Sequence, residues 1–172
     1  MPGPPSDVMS AWSLDLAAGQ QVLDRTEGKR HGTLHGDAVY IPGKYGEALL
    51  FDGAKYIEVA GAGKLDTGDR FTLSSWIFPT SRDPLAVLSR GESGVLERGY
   101  QVLLDDARLV VKLVNQPRIS LVDVITREPL SLNSWYHVAV TSDGTGKAAG
   151  VSVYVDGELQ QVQVRSDSLG GS

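Results

Sequence analysis

Three histidines are the first candidates for metal or acid–base chemistry. His31 and His35 stand four apart, the spacing that chelates zinc from one face of a helix. Gly32 and Thr33 lie between them and Gly36 follows, which argues for a loop or strand instead. On a strand, that spacing separates the side chains by roughly 13 Å, too far for one ion. His137 falls inside the apolar run Trp135-Tyr136-His137-Val138 and is expected half-buried on a strand. No Gly-x-Ser-x-Gly elbow accompanies it, and Gly91-Glu92-Ser93-Gly94 is not one.

Glycoside hydrolysis needs two carboxyl groups about 5–10 Å apart across a cleft. On a β scaffold they would share one strand face, and no strand here carries such a pair. Glu92 and Glu97, like Asp66 and Asp69, fall in loops. Gly61-Ala62-Gly63-Lys64 and Gly43-Lys44 lack the rest of a phosphate-binding loop. Calcium takes carboxylate and carbonyl oxygens from irregular loops, which makes Asp24 and Asp52 its candidates. The competing role for both is an Asx-turn. A sugar platform would need exposed aromatics on a sheet face or loop tip. Trp12, Trp76 and Trp135 read as core residues; Tyr100, Tyr136 and Tyr154 are the better exposed candidates.

The elements that must position these residues are strands. Short runs rich in Val, Ile, Leu, Tyr and Thr recur between Gly, Asp, Asn and Pro, the pattern of an all-β sandwich or barrel. The runs are 11–16, 38–41, 47–51, 56–60, 71–78, 86–90, 100–104, 108–114, 119–124, 135–141, 151–155 and 158–164. Leu109, Val111 and Leu113 share one strand face, against Arg108, Val110, Lys112 and Val114. The 71–78 run is apolar on both parities and is expected to be covered on both sides. Val155-Asp156-Gly157-Glu158 is a two-residue hairpin, because Asp-Gly supplies the two positive φ angles of a type I′ turn.

Composition excludes several classes. The 172 residues contain no cysteine, which removes disulfides, thiolate zinc sites, haem attachment and a Cys nucleophile. A net charge of −5 opposes nucleic-acid binding, and no apolar run spans a bilayer. Residues 1–10, MPGPPSDVMS, read as a flexible lead-in rather than a signal peptide. Residues 11–172 read as one domain.

Four stretches in order resemble the laminin G-like jelly-roll module of the concanavalin A-like lectin/glucanase superfamily. They are Ala11-Trp12-Ser13-Leu14-Asp15 with His31-Gly32-Thr33-Leu34; Pro42–Leu49 with Phe51-Asp52-Gly53; Phe71–Ile77; and Trp135–Thr141 with Val153–Gly157. Gly99–Leu104, Ser120–Leu132 and Gly146–Gly150 are also similar to modules of large exported planctomycete proteins. The resemblance implies a two-sheet antiparallel β-sandwich and a non-catalytic module within a larger extracytoplasmic bacterial protein. It implies a glycan or protein ligand. Its lectin branch points to carbohydrate recognition, its spacers to protein–protein interaction, and its glucanase branch to hydrolase or lyase activity. The Glu-x-Asp-x-x-Glu strand motif of that last branch is missing. From the Phe-Asp-Gly position, the resemblance carries over Asp52 alone as a calcium ligand. The family pattern runs further than Ser172, so the last strands are expected to be missing. Ala11–Leu16 would then look to a donated strand or to self-association for a partner.

Overall fold

The computed structural model describes residues 4–14, 19–61, 68–90, 99–116 and 120–168. The chain forms two compact units, residues 1–64 and 65–172.

The first unit is built from short strands. β1 (Gln21–Val22), β2 (Gly32–His35) and β5 (Tyr56–Glu58) form one antiparallel sheet; β3 (Tyr40–Pro42) and β4 (Glu47–Leu49) form a hairpin. Alternation along β2 turns Gly32 and Leu34 inward and Thr33 and His35 outward. Val22, Leu34 and Leu49 make the buried centre, with Trp12, Leu14, Tyr40 and Ile57 packed against it. The strand expected over residues 11–16 is, in its described part, a single bridge between Trp12 and Asp24.

The second unit carries the sandwich. Its strands are β6 (Arg70–Ile77), β7 (Leu85–Arg90), β8 (Gly99–Asp105), β9 (Arg108–Gln116), β10 (Ser120–Thr126), β11 (Tyr136–Asp143), β12 (Val151–Val155), β13 (Glu158–Leu159) and β14 (Val162–Asp167). They pair as a five-stranded sheet, β14-β10-β9-β8-β7, and a four-stranded sheet, β13-β12-β11-β6. One buried cluster draws on both: Leu109, Val111 and Val124 from the first, Val138, Val140 and Val153 from the second. Burying a Val or Leu side chain is worth about 1.5–3 kcal/mol, so this cluster is what holds the two sheets face to face.

Two tight hairpin turns among the described residues put non-glycine residues at positive φ, as strand twist favours. Asp156 and Gly157 have φ of 50° and 85°, the I′ geometry read from Asp-Gly. Asp106 and Ala107 at the β8–β9 turn have 51° and 58°, with no glycine. Arg82 clamps that turn: its carbonyl accepts from Asp106 N–H, and its guanidinium donates to Asp106 Oδ1 at 2.9 Å.

Two sequence expectations change. Residues 158–164 are not one strand. Glu158–Leu159 ends the hairpin beside β12, and Val162 onward joins β10 in the other sheet. The β6 strand is not covered on both sides. Arg70, Thr72, Ser74 and Trp76 face outward and are exposed, while Phe71, Leu73 and Ile77 face the core.

Candidate functional site

Asp24 is a structural staple. It is 2% exposed. Its Oδ1 accepts from Ala11 N–H (3.0 Å), Thr26 N–H (2.9 Å) and the Thr26 hydroxyl (2.9 Å), and its Oδ2 accepts from Arg30 N–H (3.0 Å). Burial pushes its carboxyl pKa up. The hydrogen bonds from Ala11, Thr26 and Arg30 together outweigh that and hold it far below the carboxylate range. With both oxygens occupied by N–H and O–H donors, this carboxylate has no vacancy for an ion. His31 belongs to the same knot, its Nδ1 accepting from Asp24 N–H at 3.0 Å. The ring proton therefore sits on Nε2.

Asp52 is half exposed, with the same logic at lower stakes. Its Oδ1 accepts from Ala54 N–H (3.1 Å), an Asx-turn, and its Oδ2 accepts from the Lys55 ammonium (2.8 Å). The Lys55 hydrogen bond, then the Ala54 one, pulls its pKa below the carboxylate range. Calcium takes six to eight oxygens. No group of three His, Asp or Glu among the described residues could hold an ion, and a lysine already sits where calcium would have to be. The donors around Asp52 do not fit calcium. Millimolar calcium is therefore expected to leave Tm within about 1 °C of its starting value by thermal melt. A larger rise that Asp52→Asn abolishes would restore the ion.

The two histidines at spacing four do not meet. His35 stacks on Tyr56, its cross-strand partner, at 4.5 Å and 9° between ring planes. Its Nε2 lies 3.0 Å from Glu58 Oε2. Glu92, Glu97, Asp66 and the stretches 62–64 and 91–94 lie outside the described residues.

The aromatic side chains are where the sequence reading changes most. Trp12 is packed as expected, its Nε1 donating to Arg30 O at 2.7 Å. Trp135 packs on Phe78 with ring centroids 5.3 Å apart. Trp76, read as core, is 37% exposed on the outer face of the four-stranded sheet. Its ring lies 5.3 Å from that of His137, its cross-strand partner. Tyr154 pairs with Ala139, two residues from His137 on the same face, which places it on the diagonal. Ser74 stands opposite Ala139 on the other side, and Thr72, Thr141 and Ser152 form the next row. The result is an aromatic diagonal, Trp76–His137–Tyr154, beside a bank of hydroxyls. Tyr100, the other way round, is buried in the core at 7% exposure and its phenol pKa is raised by that burial. Tyr136 packs against the core as well.

A family model described as the concanavalin A-like lectin/glucanases superfamily, of laminin G type, matches residues 51–171. No curated protein matches the chain. Among solved structures, residues 221–444 of an S-layer domain-containing protein from Clostridium thermocellum are similar at a TM-score of 0.59 and 18% identity. That likeness covers 90% of this chain and 71% of the other. At that identity it speaks to fold. No helix among the described residues is long and apolar enough to cross a membrane.

Proposed function

The chain belongs to the concanavalin A-like lectin/glucanases superfamily, and we propose that it is a non-catalytic module that recognises carbohydrate as part of a larger extracellular protein. The observation that carries this reading is the exposed Trp76 beside His137, with Tyr154 on the diagonal. A sugar ring offers an apolar C–H face and a rim of hydroxyls. An exposed indole takes the first, and Ser74, Thr72 and Thr141 can hydrogen-bond the second. A contiguous aromatic patch rimmed by polar side chains, unlike a single exposed ring, marks an interaction site. The likeness to residues 221–444 of an S-layer domain-containing protein supports the extracellular setting. The reading assigns no reaction, since recognition of this kind needs no acid–base pair.

A glycan array, run with and without calcium, tests it. Binding is expected in both conditions, and Trp76→Ala should weaken it by about tenfold or more. Trp76→Phe keeps a ring and should retain part of it. An exposed side chain can be truncated without unfolding the sheet, so the variant's circular dichroism should match the parent. No binding on any glycan would overturn the reading in favour of a protein–protein interaction module.

A further inference from the structure

Among the described residues, the four-stranded sheet ends on β6, which pairs with β11 on one side only. The other three sheet edges of this unit are defended. β7 and β14 each carry a register shift, and β14 adds Arg165 and Asp167; β13 is two residues long. Bulges, charges and brevity are the devices by which proteins prevent edge-to-edge pairing. β6 has almost none of them. Its eight residues pair with β11 without a shift, and Arg70 is its single charge.

The ladder shows which backbone groups β6 turns outward. His137 faces Trp76 across the pair, yet its N–H donates to Asp156 Oδ1 at 2.8 Å and its carbonyl accepts from Asp156 N–H at 2.8 Å. Asp156 follows β12, so both bonds lie on the side away from β6. Residues of such an antiparallel pair turn their backbone groups away from each other, and the direction alternates along the strand. Leu73 and Ser75 therefore bond to β11, while Thr72 and Ser74 hold their N–H and C=O outward. Among the described residues those four groups take no partner. The core is thin at the same edge. Phe71, Leu73 and Ile77 face inward but are only partly buried, whereas Val140 on the next strand is 2% exposed and Val153 beyond it is fully buried.

An added strand would meet both needs, and a second copy of β6 matches this edge. About a two-fold axis at Leu73, perpendicular to the sheet, the strand pairs antiparallel with itself. Thr72 then faces Ser74 of the second copy, and symmetry repeats the pair, so the outward groups exchange four N–H···O=C bonds between copies. On the outer face, Arg70 meets Trp76 of the second copy, a guanidinium against a part-exposed indole, again twice. No like charges oppose each other, since the one charge of each strand meets an aromatic ring. On the inner face Leu73 meets its own counterpart and extends apolar contact across the junction. We propose that the protein self-associates edge to edge through β6 in this register, joining two four-stranded sheets into one of eight strands. A pairing this short falls below the roughly 1,200 Å² of a standard interface, so the dimer should be a weak, reversible one. The inference does not depend on the carbohydrate reading.

Sedimentation velocity of the full chain, from about 1 to about 500 µM, tests the pairing. A concentration-dependent dimer is expected, with amide exchange at Thr72 and Ser74 slowing as it forms. Thr72→Pro removes an outward N–H and no bond to β11, so it should weaken dimerisation about thirtyfold or more while circular dichroism stays that of the parent. Arg70→Ala, a milder change at an exposed position, should weaken it about fivefold or more by removing both guanidinium–indole pairs. The chain has no cysteine, so a single introduced thiol can cross-link only between copies. Oxidised Leu73→Cys should give a covalent dimer, whereas Ser75→Cys, set opposite Phe71 of the second copy, should not. A monomer at every concentration would overturn the proposal and leave this edge to a strand of another protein. A dimer indifferent to Thr72→Pro, or cross-linking better from Ser75→Cys than from Leu73→Cys, would overturn it equally.

Discussion

Replacing Asp24 with alanine will destabilise the first unit by about 3–5 kcal/mol. The substitution leaves the N–H groups of Ala11, Thr26 and Arg30 without their acceptor, and the Thr26 hydroxyl with Met9 O alone, at 3.3 Å. Each unpaired buried donor costs roughly 1–3 kcal/mol, and water reaching the part-buried ones keeps the total below the sum. The loss is structural as well as local, because the four donors tie the Ala11 stretch to the β1–β2 connection that carries Thr26 and Arg30. The unit's strands are only two to four residues long, so it leans on such loop contacts more than on strand ladders. Amide hydrogen exchange at Ala11, Thr26 and Arg30 reads the effect directly, and protection unchanged from the parent would sink the argument. The same carboxylate makes the unit acid-sensitive. Its folded pKa lies well below the ordinary carboxylate value of 3.8. Its contribution is therefore complete above that value and is lost as pH falls below it toward the folded pKa. Protection at these amides should fall on acidification below about pH 4. Asp24→Asn should flatten that dependence while remaining less stable at neutral pH, since its amide nitrogen would face the Arg30 N–H donor to donor.

That knot also marks a limit of reading from sequence. Asp24 could be named as a candidate ligand or turn residue, but its donors sit 13, 2 and 6 residues away, and only the fold brings them together. The sandwich itself was more legible. The alternation in residues 108–114 fixed which side of β9 enters the core, because a pleated strand allows only two faces. The Asp156-Gly157 hairpin was legible because its geometry demands positive φ twice.

Trp76 was misread because both parities of residues 71–78 hold large apolar side chains. Phe71, Leu73 and Ile77 do enter the core. A tryptophan on the opposite parity has the same hydropathy whether it is packed or presented to a ligand. The break at Gln160 and Gln161 was invisible for a related reason. No glycine or proline marks it. The chain leaves one sheet through Gln160 N–H to Val153 O and enters the other through Arg127 N–H to Gln161 O.

Gly144→Ala is expected to cost about 3 kcal/mol in the second unit, against about 1 kcal/mol for Gly157→Ala. Both glycines have positive φ, +78° and +85°, so alanine at either stores backbone strain. They differ in what a methyl group meets. Around Gly157 nothing lies within 4 Å. At Gly144 the new carbon would collide with the Gly68 carbonyl oxygen, and the Gly68 and Asp69 carbonyl carbons stand behind it at 3.1 and 3.3 Å. Backbone cannot swing aside as a side-chain tip can, so the loop or the start of β6 must shift. The loop is already pinned, with Asp143 Oδ1 accepting from Thr145 N–H at 2.9 Å and from the Thr145 hydroxyl at 2.6 Å. Asp143 pairs in register with Arg70, six residues before Trp76 pairs with His137. The damage should therefore fray the β6–β11 ladder from the Arg70 end and fade before the aromatic pair. Urea unfolding gives the two energies, and exchange along β6 gives the gradient. Equal losses for the two variants would mean that strain alone matters and that the approach to Gly68 does not constrain the sheet bearing Trp76.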